Sequence, residues 1–139
     1  MWKFVDGTPM IELRIRNVMR EREYPEGGGV MAVVDTGFSG FLFIPRRLFD
    51  RLGFGELRTK NSKATLADGR RIEITGAYGS VEFPQLATMT DGLVETSAGA
   101  SEILVGMDGI RQLNLRVNCC AEMLEVERCY QAAGTLAQR

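Results

Sequence analysis

Apolar and polar positions alternate strictly through Ile11-Glu12-Leu13-Arg14-Ile15-Arg16, which predicts a strand with one face on the core and one in water. Asp6-Gly7-Thr8-Pro9 just before it reads as a turn. Residues 20–29 are polar, contain Pro25 and three successive glycines, and are expected to form a mobile hairpin loop. Five consecutive apolar residues, Val30-Met31-Ala32-Val33-Val34, then read as a strand buried on both faces. That run delivers Asp35 directly into a tight turn, Thr36-Gly37, before Phe41-Leu42-Phe43-Ile44 resumes the apolar pattern. Pro45 suits a first helical turn, and Leu48, Phe49 and Leu52 share one face with Gly53 as the stop, so residues 45–52 are predicted to be a short helix.

In the second half, residues 64–74 carry Asp68-Gly69 between two β-like arms of little apolar bulk, the pattern of a hairpin that projects from the body and moves. Residues 77–83 and 93–96 read as further strands, separated by Pro84 and by Asp91-Gly92. Ile103-Leu104-Val105 is a second buried strand ending in Gly106, and Asp108 is placed to cap a short helix through Leu113. Residues 115–118 and 124–127 are predicted short strands, the latter with a free edge that needs covering. Residues 131–139 lack periodicity and are expected to be a disordered tail. The pattern predicts a mostly β domain over residues 1–130 with one or two short helices.

Composition narrows the function classes. A chain of 139 residues with 45% hydrophobic and 25% charged residues has the makings of one globular domain. The net charge is -1 with scattered basic residues, which argues against nucleic acid as a partner. No apolar run approaches membrane-spanning length and the first six residues do not make a signal peptide, so no membrane partner is expected and the cytoplasm is the expected location. Three cysteines, two of them adjacent, do not form a disulfide framework. The absence of histidine removes Ser-His and Cys-His nucleophile schemes and every His-based metal site, and no metal or cofactor is expected. Gly27-Gly28-Gly29 precedes a strand rather than opening a helix, which excludes a phosphate cradle.

An aspartate at the end of an apolar strand loses solvation unless something pairs with it. Thr36 supplies a hydroxyl beside it, and Gly37 lets another backbone approach. Residues 30–40 resemble the Asp-Thr-Gly motif of the retropepsin-like aspartic peptidases, and Phe38 matches the small bacterial and archaeal branch whose motif reads Asp-Thr-Gly-Phe. A second family-like block, Ile103-Leu104-Val105-Gly106-Met107-Asp108, extends the resemblance to residues 11–126. The two blocks look like halves of an internal pseudo-repeat of which only the first carries an acid.

The resemblance implies a single-domain acid protease fold, a closed β-barrel, acting as a homodimeric aspartic endopeptidase on a peptide or protein substrate. Each subunit would contribute one Asp35 to a shared water, Thr36 would lock the two loops across the axis, and Gly37 would contact substrate backbone. Phe38, Ser39, Val105 and Gly106 would line the cleft, and Leu66, Ala67, Asp68 and Gly69 would form a flap over it. Retroviral members have an Arg at the place of Met107 paired with an acid at the place of Ser39, and both partners are replaced here. An alternative is a catalytically silent dimer of the same fold that captures an extended peptide by strand addition. A phosphotransferase would need further Mg2+-binding carboxylates at set spacings, and none is visible.

Overall fold

The computed structural model describes residues 2–129. Its strands are β1 (Trp2–Lys3), β2 (Met10–Asn17), β3 (Arg22–Tyr24), β4 (Val30–Val34), β5 (Leu42–Phe43), β6 (Lys60–Thr65), β7 (Arg71–Phe83), β8 (Thr88–Thr96), β9 (Leu104–Val105), β10 (Leu113–Asn118) and β11 (Met123–Arg128). Two short helices, α1 (Arg46–Arg51) and α2 (Met107–Ile110), follow β5 and β9.

Alternation in β2 drives Ile11, Leu13, Ile15 and Asn17 inward and leaves the residues between them half-buried. Its inner row continues sideways through Ala32 of β4 and Val81 of β7, the register partners of Ile11 and Ile15. From β4 the ladder passes to β9 (parallel), β5 (antiparallel), β8 (parallel) and β7 (antiparallel), and β7 returns to β2. Six strands thus close on themselves, which removes the edges an open sheet of this size would expose. The interior is filled by Phe41, Phe49, Phe54 and Phe83 among aliphatic residues, each large side chain worth about 1.5–3 kcal/mol relative to exposure. Gly79 and Gly92 face each other across β7 and β8, and the missing side chains leave the room that Phe54 and Phe41 fill.

The fold class is the expected one, mostly β with a closed barrel and two short helices. Asp6 and Gly7, both at positive φ, form the two-residue turn expected ahead of β2, with Val5 and Thr8 exchanging backbone hydrogen bonds of 3.0 and 2.9 Å. The first helix is present where expected but spans Arg46–Arg51, with Pro45 at its N-cap position instead of in its first turn and Leu52 at its C-cap.

Several details differ. Residues 20–29 are not a free loop, because Arg22–Tyr24 pair with the end of β2 and Val18–Arg20 form one 3-10 turn. Cross-strand charges hold that pairing: Glu23 faces Arg16 at 3.0 Å and Arg14 at 3.8 Å, while both arginines also reach Glu82 of β7. The strand of residues 30–34 buries only Ala32 fully, since one of its faces is a groove wall rather than core. The second arm of the hairpin expected at 64–74 and the strand expected at 77–83 are one continuous 13-residue β7, which serves the hairpin at one end and the barrel at the other. Asp108 lies in the first turn of α2 instead of capping it, Gly106 occupies the cap position, and Leu113 opens β10 instead of closing the helix.

Strand β11 is the middle of a separate sheet ordered β1-β11-β10, so the edge expected along residues 124–127 is covered by β10 on one side and at Leu124 by β1 on the other. Leu124 is fully buried there. Among the described residues no helix is long and apolar enough to cross a membrane. Cys119, Cys120 and Cys129 are exposed and free. The tail expected at 131–139 lies outside the described residues.

Candidate active site

The residues from Asp35 to Gly40 make the connection between β4 and β5, and the second block of the sequence holds it in place. Val33 and Val34 pair with Leu104 and Val105, and the ladder runs one step further, where Asp35 N donates to Val105 O at 3.0 Å. The turn then closes on itself, with Phe38 N donating to Asp35 O at 3.2 Å. Beyond the turn, Met107 N donates to Phe38 O at 2.8 Å and Asp108 N to Gly40 O at 3.0 Å, while Gly106 N donates to Phe41 O at 3.1 Å. The start of α2 is thereby clamped against the loop. Gly106 is required by room: a Cβ there would sit on the Gly40 carbonyl oxygen and lie 2.6 Å from that of Phe38.

Alternation along β4 puts Met31, Val33 and the following Asp35 on the face opposite Ala32. The Asp35 side chain is half-buried, and its Oδ1 accepts from Gly37 N at 3.0 Å. Its Oδ2 has no hydrogen-bond donor among the described residues. Thr36 and Gly37 are exposed at the tip, as is Ser39, while Phe38 turns back to meet Phe43 edge-on at 6.0 Å between centroids. An open groove of about 560 Å³ continues down the same face, lined by Met10, Met31, Val33 and Ile103 with Arg47 and Arg51 at its rim. Asp35 stands outside that groove, at the end of the strand that walls it.

The structure therefore brings together Asp35, Thr36, Gly37, Phe38, Ser39, Val105 and Gly106 of the expected site. Val105 is fully buried and Gly106 is buried, so both support the loop from below rather than presenting side chains on the surface. Leu66, Ala67, Asp68 and Gly69 form the tip of the β6–β7 hairpin, with Gly69 N donating to Leu66 O at 2.9 Å, and no hydrogen bond joins that tip to the Asp35 loop among the described residues. At the tip, Arg70 donates from its backbone and its side chain to Asp68, at 3.0 and 2.6 Å, which holds the Asp68 carboxyl below its ordinary pKa. Among the described residues no cluster of three potential metal ligands occurs.

Two contributors were missed in the sequence. Pro9 O accepts from Val34 N at 3.1 Å and so braces the acid-bearing strand from the other side, a backbone contact without a side-chain signature. Glu95, on β8, approaches Gly40: a Cβ built on that glycine would lie 2.9 Å from Glu95 Oε1 and 2.5 Å from the Phe38 ring. Burial pushes the Glu95 carboxyl above its ordinary pKa, against an opposing pull from Lys60. The available signal was a lone acid inside the apolar strand at residues 93–96.

The closed six-stranded barrel with two short helices is the fold of a retroviral protease. Among solved structures, EIAV protease complexed with the inhibitor HBY-793 superposes with a TM-score of 0.54 at 10% identity, covering 80% of this chain and 92% of that one. No family model matches the chain. An uncharacterized protein of Archaeoglobus fulgidus is 38% identical over 127 residues, covering 91% of this chain and 99% of that protein, and the chain belongs to the same family.

Proposed function

We propose that the protein is a homodimeric aspartic endopeptidase whose reacting groups are two Asp35 carboxyls, one from each subunit. The observation that carries the proposal is the setting of Asp35: the single acid of the 35–40 connection, half-buried on a backbone-clamped loop whose outermost residues, Thr36 and Gly37, stand exposed. A lone carboxylate does not cleave a peptide bond. Hydrolysis needs a carboxylate to take a proton from water and a protonated carboxyl to give one to the carbonyl oxygen. A two-fold axis beside Thr36 supplies the second group from the same residue of a second copy. Two like charges at one water do not both ionise readily, so the pair shares one proton, which is the state the chemistry requires.

In the forward reaction the water oxygen bonds to the carbonyl carbon, its proton passes to the charged Asp35, and the other Asp35 protonates the carbonyl oxygen. Collapse of the tetrahedral intermediate breaks the C–N bond as the leaving nitrogen takes the proton of one Asp35 and the other Asp35 takes a hydroxyl proton from the intermediate, which returns the pair to its singly protonated state. Gly37, Phe38 and Ser39 would contact substrate, Val105 and Gly106 would hold the loop beneath it, and residues 66–69 would close over it. No metal or cofactor enters these steps.

The test is Asp35→Asn, which keeps shape and volume while removing the ionisable group. Cleavage of a mixed peptide library is expected to fall by roughly 10²–10⁴-fold, with an unchanged circular dichroism spectrum and unchanged sedimentation. Full activity in a well-folded variant would refute the assignment.

A further inference from the structure

Register across the barrel defines two parallel rows of side chains. One row is Val105, Leu42, Val94 and Ala77, all fully or almost fully buried. The row beside it is Val33, Leu104, Phe43 and Glu95, which are half-buried, followed by Gly76 and Lys60 on the two outermost strands. Because Asp35 follows Val33 by two residues, its side chain stands on the face of this second row. Glu95 is therefore on the same face as Asp35, three strand spacings, or roughly 14 Å, along the row from Val33.

Glu95 is an unusual residue to find there. Its neighbours in the row are apolar, and two glycines flank it: a Cβ at Gly40 would lie 2.9 Å from its Oε1 and one at Gly76 3.2 Å from its Cγ. Among the described residues its carboxyl group makes no hydrogen bond and no ion pair, although its backbone carbonyl accepts from Ile44 N at 2.9 Å, and Lys60 acts on the carboxyl only at longer range. A half-buried carboxylate without a direct partner is unfavourable unless something else pairs with it. An extended peptide whose carbonyl lies at Asp35 advances about 7 Å over two residues, and a lysine or arginine side chain spans a comparable further distance.

We propose that Glu95 is a specificity residue that selects a cationic side chain, lysine or arginine, on the peptide bound across the Asp35 face. This rests on the peptidase reading for the identity of the ligand, but its geometry is independent of whether cleavage occurs. The glycines at 40 and 76 leave room beside the Glu95 side chain, and the Phe38 ring, which meets Phe43 edge-on, packs against Gly40 as well.

The experiment compares matched peptide sets that differ at one position by lysine, norleucine or glutamate, scanned over the residues flanking the cleaved bond. Cleavage is measured with the wild type, and binding by fluorescence anisotropy with Asp35→Asn, which does not consume the peptide. At one position the lysine peptide is expected to be favoured over norleucine by roughly tenfold or more in both measurements. Glu95→Gln should bring that ratio close to one, and Glu95→Lys should shift the preference to glutamate. Lys60→Met, which removes the competing cation, should raise the ratio. Cleavage of nothing with a retained lysine preference in binding would defeat the peptidase reading and leave the Glu95 assignment standing. Equal treatment of lysine and norleucine at every position, a ratio unchanged in Glu95→Gln, or no binding of any peptide would overturn the assignment.

Discussion

Single atoms decide the site at several positions. Gly106 has an ordinary φ of -94°, so alanine there is opposed by room and not by backbone preference. Its Cβ would meet two backbone carbonyl oxygens that cannot move without shifting the Asp35 loop. Gly106→Ala is expected to destabilise by about 1–3 kcal/mol or more in chemical denaturation and to reduce peptide cleavage. Glu95 gives a pH signature. Burial raises its pKa above the ordinary 4.5, so the folded state holds the proton more tightly than the unfolded state. Its contribution to stability is therefore present below pH 4.5 and is lost as pH rises through the folded-state value. Glu95→Gln is expected to gain stability relative to wild type over that same interval and to keep the gain at neutral pH. A stability difference that does not change with pH would contradict the burial account. At this scale the sequence was informative about Asp35, Thr36 and Gly37, whose apolar strand and turn are local, and silent on Gly40 and Glu95, whose meeting depends on β5 and β8 lying side by side.

Elements with a local period were legible in the same way. The alternation of β2, the Asp-Gly turn ahead of it and the apolar face of α1 needed no knowledge of the rest of the chain. Strand β3 was invisible because its three residues are mostly polar and its pairing depends on arginines of β2 and a glutamate of β7. The unity of β7 was hidden in the gap between the hairpin expected to end at Ile74 and the strand expected to begin at Ala77, where Gly76 carries no apolar side chain and leaves room for Leu93 and Glu95. Asn17 ends β2 on the inner face, where its Nδ2 donates to Leu52 O at 2.8 Å and its Oδ1 accepts from Arg20 N at 3.3 Å. It ties the barrel to the end of α1. Asn17→Ala is expected to cost about 1–3 kcal/mol through the stranded Leu52 carbonyl, read in thermal or urea unfolding.

For the whole molecule, closure of the six-stranded ring could be expected from a resemblance that covers both blocks, but strand order could not be read from periodicity. The two termini meet in one sheet, where β11 lies between β1 and β10. That placement changes what a truncation means, because removal of residues from 123 onward would also remove the buried Leu124 and β10's partner strand. Assembly is better probed with the fold intact. Equal amounts of wild type and Asp35→Asn, mixed and allowed to exchange subunits, give heterodimers with one Asp35 each, which lack one of the two groups the reaction needs. Only about one quarter of the dimers keep both, so specific activity should fall to roughly a quarter of pure wild type at equal total protein. A value of one half, with exchange verified by mass-tagged subunits, would mean that each chain holds a complete site and would contradict the shared-acid mechanism.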